Sequence, residues 1–251
     1  MAIELFDLDE AARHEPDDAA RASLVRAIRQ AVSMSSVKND LGRAREMMEE
    51  LKAVQAVAIR HNDEGRPIVR GVGATVQALF MQAVSLYVRA THSGGKGRNK
   101  LHVVDRLDAG VLEIHGRITL LRDRYLAHFD EPADWEHAFV VLALDLAEAR
   151  MSLSYPHSRY YVRADDSADF DILLSVVERL CADAYASASA RLNLLVNGRF
   201  EDDPDFLDRI RSHPFKPADF FDAEEVGPYL TSIGAQHPDP PTNPRLVRPR
   251  R

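Results

Sequence analysis

The chain has 251 residues, of which 45% are hydrophobic and 28% charged, and its formal net charge is -7. These values predict a soluble folded protein and exclude a global basic field for nucleic acids, so any polyanion site has to be local. The single cysteine, Cys181, excludes an internal disulfide and a cysteine-rich zinc site. The N-terminus lacks a signal-peptide pattern and no apolar run reaches the ~18 residues of a membrane span, so we expect a cytoplasmic protein without membrane association.

Helical periodicity dominates the first hundred residues, and alternating β-patterns are nearly absent from the chain. Two amphipathic helices are predicted first, over residues 17–32 and 35–62, the second opening on a serine N-cap. A third helix over residues 74–92 is apolar on most sides and is expected at the centre of a bundle. Residues 93–100, rich in glycine and basic side chains, then predict a flexible basic loop.

The second half of the chain continues this helical pattern and then changes composition. Helices are predicted over residues 104–129, 135–155, 170–198 and 203–213. The helix predicted over residues 170–198 is expected to end on the C-cap pair Asn197-Gly198. Residues 165–169 are expected to form a loop before it. Eight of the 13 prolines fall in residues 214–251, which predicts an extended or disordered tail. We therefore expect a single all-α domain over residues 1–213, folded as an up-and-down helical bundle with long helices.

The predicted helix over residues 104–129 carries an apolar seam that ends on a histidine. Its members recur at intervals of three and four residues and are Val111, Ile114, Ile118, Leu121, Tyr125 and His128. At 100° per residue, Arg122 stands ~120° from His128, whereas Arg124 stands ~40° from it. Arg122 is therefore expected to meet a histidine across an interface rather than within its own straight helix.

The stretch LRDRYLAHFD, residues 121–130, resembles the Arg-x(4–6)-His motif of HEPN-type helical domains. In that motif a polar residue often follows the arginine, as Asp123 follows Arg122 here. The Ala-His dipeptide that ends in His128 is especially similar to the abortive-infection-like branch of the family. The upstream stretch LYVRATHSGGKGRNKL has the Tyr-x-Arg helix end and basic loop associated with such proteins, and the resemblance covers roughly residues 35–200.

The resemblance implies an HEPN-like bundle that acts as a metal-independent endoribonuclease in a defence or toxin–antitoxin context. It further implies a homodimer with RNA as substrate, an antitoxin as candidate partner and no cofactor. Two copies of Arg122 and His128 would line a shared cleft. His128 would transfer the proton of the 2′-hydroxyl or of the leaving oxygen, Arg122 would stabilise charge on the phosphate, and Asp123 would orient one of the two.

Further cationic and aromatic side chains are candidates for substrate binding. Arg124 and Tyr125 would shape the cleft, while the basic strip of Arg89, Lys96 and Arg98 would guide RNA toward it. The alternative for the strip is a solvated loop without a ligand. Tyr87, which lies on an apolar helix face, is expected to pack in the core rather than to stack on a base.

A second hypothesis for the same residues is structural. The charged side chains of residues 122–124 would then pair with a neighbouring helix or with Glu131 and Asp134, and His128 would be a core histidine near a helix C-terminus. The protein would in that case be a catalytically silent helical interaction or sensor module. The ten histidines lack the repeated Glu-x-x-His and the i, i+4 pairs of helical metal sites, so no metal site is predicted.

Overall fold

The computed structural model of the protein describes residues 4–67, 71–92, 99–123, 137–138, 141–145, 150–154, 157–158, 162–219, 222, 224–225 and 227–228. Over these residues the fold is all-α with two small antiparallel pairs of strands, which confirms the predicted fold class. The helices are α1 (Leu8–Arg13), α2 (Asp18–Asp63), α3 (Val72–Thr91), α4 (Ala109–Arg122), α5 (Ala164–Asp202) and α6 (Phe206–Arg211). Single 3₁₀ turns occupy Val104–Arg106 and Pro217–Asp219.

α2 is one continuous helix, so the prediction of two helices divided near residue 33 was wrong. The serines at this point have only modest helix propensity, but neither glycine nor proline interrupts the helix there. Ser33 is buried, and its hydroxyl accepts a hydrogen bond from the backbone N–H of Asn99 at 3.1 Å. Tertiary packing therefore holds Ser33 inside the helix, just before the serines that were predicted to cap a second one.

α5 is longer than predicted at both ends. The expected loop at residues 165–169 is instead its first turn, where the acidic side chains Asp165 and Asp166 are favoured by the helix dipole. The expected C-cap at Asn197-Gly198 was also wrong, because the helix continues through Gly198 to Asp202. Arg199, one residue beyond this glycine, forms ion pairs that hold the final turn in place, as described below.

The predicted helix over residues 135–155 was wrong, because the described part of this stretch is β-structure. β1 (His137–Ala138) pairs with β4 (His157–Ser158), and β2 (Val141–Asp145) pairs with β3 (Arg150–Ser154), both antiparallel. A short apolar run fits a strand as well as a buried helix, and periodicity alone does not separate the two. The missed signal is the alternation of apolar and polar residues in RMSLS, which has the period of a strand.

The chain divides into two compact units. The bundle unit comprises residues 32–186, and the terminal unit comprises residues 1–31 together with residues 187–251. The boundary between domain and tail expected at residue 213 stays a prediction.

The bundle unit has an apolar core made by α2, α3, α4 and α5. Phe80 and Tyr87 pack edge-to-face on Phe170, with ring centroids 5.7 and 5.5 Å apart. Other buried members are Val37, Leu41, Met48, Leu51, Val84, Ile118, Leu173, Leu174 and Val177. Cys181 is buried, and burial raises the pKa of its thiol, which favours the protonated and less reactive form of the sulfur. At the rim, Arg45 of α2 binds Asp171 and Glu178 of α5.

The terminal unit joins the first residues of the chain to residues near 213. Its buried apolar cluster consists of Ala11, Ala12, Leu24, Ile28, Phe206 and Ile210. The backbone N–H of Asp7 donates to the carbonyl of His213 at 2.8 Å, and that of Phe215 donates to the carbonyl of Leu5 at 3.0 Å. Phe215 was expected in the extended tail, but these bonds fasten it to the N-terminal segment.

A buried carboxylate sits in the terminal unit between two arginines. The side chain of Glu15 is 1% exposed, and its oxygens lie 2.6 Å from Nη2 of Arg199 and 3.4 Å from Nη2 of Arg209. Both guanidinium groups also bind Asp203 and lie over the ring of Phe206. The negative charge of Glu15 is thus compensated by charge-assisted hydrogen bonds rather than by water.

Candidate functional site

α4 positions Arg122, the arginine of the predicted Arg/His site. The carboxylate of Asp108 caps the helix by accepting a hydrogen bond from the backbone N–H of Val111 at 2.9 Å. The side chains that α4 buries are Val111, His115, Ile118 and Leu121. The predicted seam is therefore confirmed as the buried face at Val111, Ile118 and Leu121, while Ile114 is half-buried.

A buried hydrogen bond fastens α4 to α3. Oη of Tyr87 lies 2.7 Å from Nδ1 of His115, and the two rings meet edge-to-face with centroids 5.9 Å apart. Tyr87 packs in the core as predicted. His115 was not among the residues predicted to be buried on this helix. Its spacing nevertheless indicates burial, because it lies four residues after Val111 and three before Ile118.

Burial perturbs both partners of this hydrogen bond. Desolvation lowers the pKa of His115, and the nearby charge of His92 lowers it further. Desolvation also raises the pKa of Tyr87, although a hydrogen bond with Thr91 acts in the opposite direction. The pair is therefore held as a neutral imidazole and a neutral phenol near pH 7.

Arg122 and Asp123 lie together at the C-terminal end of α4. Nη1 of Arg122 donates to Oδ1 of Asp123 at 2.8 Å, and the side chains are 37% and 40% exposed. A guanidinium carries five N–H donors, so this contact leaves Arg122 able to donate to a phosphate in the bidentate geometry that suits it. At 100° per residue Arg122 stands ~20° from the line of His115, which places it on the face that α4 turns toward the core.

Two further arginines near this end of the fold are engaged in ion pairs. Arg117 of α4 binds Asp169 of α5. Arg89, expected to guide RNA as part of the basic strip, binds Asp40 of α2 through Nε at 2.9 Å and through Nη2. The side chain of Arg89 is still about half exposed, so it remains accessible to a ligand as the basic-strip hypothesis requires. Its positive charge is, however, partly neutralised by Asp40.

The structure brings together two of the predicted site residues, Arg122 and Asp123. Five further candidates lie outside the described residues: His128, Arg124, Tyr125, Lys96 and Arg98. Their predicted roles as catalytic histidine, cleft residues and basic strip therefore stay predictions.

Within the described residues no group of three or more histidine, cysteine, aspartate or glutamate side chains is placed to hold a metal ion. Nor is any helix in this part of the chain long and apolar enough to span a membrane. In comparisons with known proteins, no family model, curated protein or solved structure matches the chain.

Proposed function

We propose that the protein is an HEPN-like, metal-independent endoribonuclease that acts on RNA as a cytoplasmic homodimer in a defence or toxin–antitoxin context. The observation that supports this proposal is the half-exposed Arg122–Asp123 pair at the end of α4. It combines a phosphate-binding cation with an acceptor that holds it in place. The residues after this pair supply the histidine that the chemistry needs, at position 128.

Each side chain has one role in the proposed reaction. His128 removes the proton of the 2′-hydroxyl, the 2′-oxygen attacks phosphorus, and the bond from phosphorus to the 5′-oxygen breaks. The leaving 5′-oxygen takes up a proton from water and becomes a free 5′-hydroxyl, and the other product is a 2′,3′-cyclic phosphate. Arg122 donates hydrogen bonds to the phosphoryl oxygens as negative charge develops on them. Asp123 orients the guanidinium, and the second copy of the chain supplies the other half of the cleft.

The test is RNA cleavage in the presence of EDTA. Wild-type protein is compared with His128→Ala, Arg122→Ala and the control Arg43→Ala, which removes an exposed arginine of α2. We expect losses of ~10²–10³-fold in rate for the first two variants and none for the control. Equal cleavage by all four proteins, or cleavage that EDTA abolishes, would contradict the proposal.

A catalytically silent interaction or sensor module is the second candidate. It is favoured by the β2–β3 hairpin, in which Leu142, Met151 and Leu153 are all exposed. The register pairs Leu142 with Leu153, and the period of two places Met151 on the same face, so three large apolar side chains share one accessible surface. Folded protein that cleaves no RNA under any condition would favour this candidate over the enzyme.

A further inference from the structure

A buried hydroxyl of α4 makes no hydrogen bond. Oγ1 of Thr119 is buried and has no partner among the residues that the structure describes. Threonines of α3 behave differently, because Oγ1 of Thr75 and of Thr91 each donate to the carbonyl four residues earlier, at 3.2 and 3.0 Å. Thr119 forms no such bond with the carbonyl of His115. A buried hydroxyl without a partner destabilises a fold, so its presence requires an explanation.

Thr119 differs from the two other side chains that contain a buried, unpaired polar atom in the described part of the chain. These are Gln77 and Arg199. Oε1 of Gln77 accepts a hydrogen bond from the backbone N–H of Val162 at 3.2 Å, and Arg199 forms two ion pairs. The unpaired atom of Thr119 is its only polar side-chain atom, so its donor and its acceptors are all unused.

Thr119 lies one helical turn before the Arg122–Asp123 pair. At 100° per residue it stands ~60° from Arg122 and ~40° from Asp123, in the angle between them. Residues three and four apart are neighbours on a helix surface, and helical side chains lean toward the N-terminus, which here means toward Thr119. The backbone N–H of Asp123 also donates to the carbonyl of Thr119. The unpaired hydroxyl therefore belongs to the proposed site.

The hydroxyl of Thr119 can turn outward at little cost. The residue as a whole is half-buried, so its side chain lies at the edge of the core. Threonine in a helix occupies two χ1 rotamers. Because Oγ1 makes no hydrogen bond, a change of rotamer breaks none. A ligand beside Arg122 can therefore engage this hydroxyl without disrupting a contact of the fold.

We propose that Thr119 recognises the 2′-hydroxyl of the ribose whose 3′-phosphate Arg122 binds, so that this position distinguishes RNA from DNA. The inference rests on the proposed function and adds a recognition residue to the same site. The 2′-hydroxyl is the group that DNA lacks, and like the threonine hydroxyl it both donates and accepts hydrogen bonds. Thr119 donates to the 2′-oxygen, which leaves the proton of the 2′-hydroxyl for His128.

Two features favour the ribose over a second phosphate as the group that Thr119 contacts. The carbonyl groups at the C-terminal end of α4 and the carboxylate of Asp123 both disfavour a further anion beside Thr119. The 2′-hydroxyl and the 3′-phosphate are attached to adjacent carbons of one ribose. Two side chains one turn apart, Thr119 and Arg122, can therefore reach the two groups of the same nucleotide.

Binding by protein that cannot cleave tests this recognition. In the His128→Ala background, dissociation constants are measured by fluorescence anisotropy for a mixed-sequence single-stranded RNA and for DNA of the same sequence. Thr119→Val should weaken RNA binding ~10-fold and leave DNA binding unchanged, whereas Thr119→Ser should keep the preference for RNA. A single 2′-deoxy substitution at the contacted nucleotide should weaken binding by His128→Ala protein but not weaken it further after Thr119→Val.

Thr119→Val also separates recognition from folding. Since it replaces an unpaired buried hydroxyl with a methyl group of the same shape, the melting temperature should stay equal or rise. Thr75→Val, which removes an exposed hydroxyl of α3, is the control and should leave the preference for RNA unchanged. A lower melting temperature for Thr119→Val would show that the fold itself uses this hydroxyl, and would overturn the inference.

The outcomes distinguish this inference from the proposed function. If Thr119→Val binds RNA as tightly as its parent, or loses RNA and DNA binding equally, the inference is wrong while RNA cleavage by the wild-type protein still supports the function. Protein that binds no RNA and cleaves none would overturn both.

Discussion

Tyr87 and His115 form a buried hydrogen bond inside the bundle unit, with a distance of 2.7 Å between Oη and Nδ1. Tyr87 is fully buried and His115 nearly so, and the phenol oxygen of Tyr87 supplies the hydrogen-bond partner of the imidazole Nδ1. His115 precedes Arg122 by seven residues, or about 10 Å along α4. The contact between α3 and α4 therefore fixes the helix that carries Arg122 two turns before the proposed site.

Removing the phenol oxygen should destabilise the fold. Tyr87→Phe keeps the ring packed on Phe170 but leaves the buried Nδ1 of His115 without its partner. We expect a loss of about 1–3 kcal/mol in the free energy of unfolding, measured with urea. Tyr185→Phe is the matched control, since this ring is only half-buried and keeps its contact with Lys38. An equal loss in both variants would contradict the importance of the buried pair.

The lowered pKa of His115 predicts a pH dependence of stability with a definite sign. The unfolded chain binds a proton near the ordinary histidine value of 6.5, while folded His115 resists protonation. The unfolded state therefore binds more protons below this pH, and the free energy of unfolding falls as pH decreases through it. Between pH 7.5 and 5.5, wild-type protein should lose more stability than His115→Gln. Parallel unfolding curves for the two proteins would show that His115 is not responsible.

The Arg122–Asp123 pair should matter for activity and little for stability. Both side chains are more than one-third exposed, and ion pairs of this kind contribute about 0–1 kcal/mol. Asp123→Asn should leave the urea midpoint almost unchanged while slowing RNA cleavage, because the guanidinium loses its charged acceptor. Asp165→Asn, at an exposed position in the first turn of α5, is the control for the lost charge. A large fall in stability without any change in cleavage would assign the pair a structural role.

The buried carboxylate of the terminal unit should be among the most sensitive positions of the chain. Glu15→Gln removes the negative charge that Arg199 and Arg209 share, and it leaves two partly buried cations without that compensation. We expect a loss of about 3 kcal/mol or more in the free energy of unfolding. Glu10→Gln changes an exposed carboxylate of α1 and should cost less than about 1 kcal/mol. Similar losses in both variants would contradict the role assigned to burial.

Two glycines should respond to alanine with opposite signs. Gly198 lies within α5, where an added Cβ meets nothing within 4 Å, so Gly198→Ala should stabilise the protein by about 0.5–1 kcal/mol. Gly65 follows α2 with a φ of 65°, and Gly65→Ala should cost about 1 kcal/mol. Thermal melting of the two variants against wild type gives the comparison. Destabilisation by both would show that α5 is not a regular helix at Gly198.

The helical part of the fold could be predicted because its signals are local. The apolar spacing of Val111, Ile118 and Leu121 predicted the buried face of α4, and the apolar run before residue 92 predicted α3 within two residues at each end. Arg122 and Asp123 could be placed together for the same reason, since they are adjacent on one helix.

The predicted helix boundaries and the predicted helix over residues 135–155 were wrong where contacts between residues far apart in the sequence determine the local structure. Nothing near Ser33 reveals that Asn99 will bond to it, and nothing near Gly198 reveals that Arg199 will reach Glu15. The hairpin of β2 and β3 was mistaken for a helix because pairing with a partner strand, rather than local propensity, determines whether such a segment becomes β-structure.

The bonds that join residues 5–7 to residues 213–215 also set an order of events during synthesis. The two segments are separated by roughly 200 positions. At a translation rate of ~5–20 residues per second, the second segment is therefore made ~10–40 s after the first. All residues of the bundle unit are made within that interval. Until then the apolar side chains of α1 lack their partners on α6 and stay exposed to solvent.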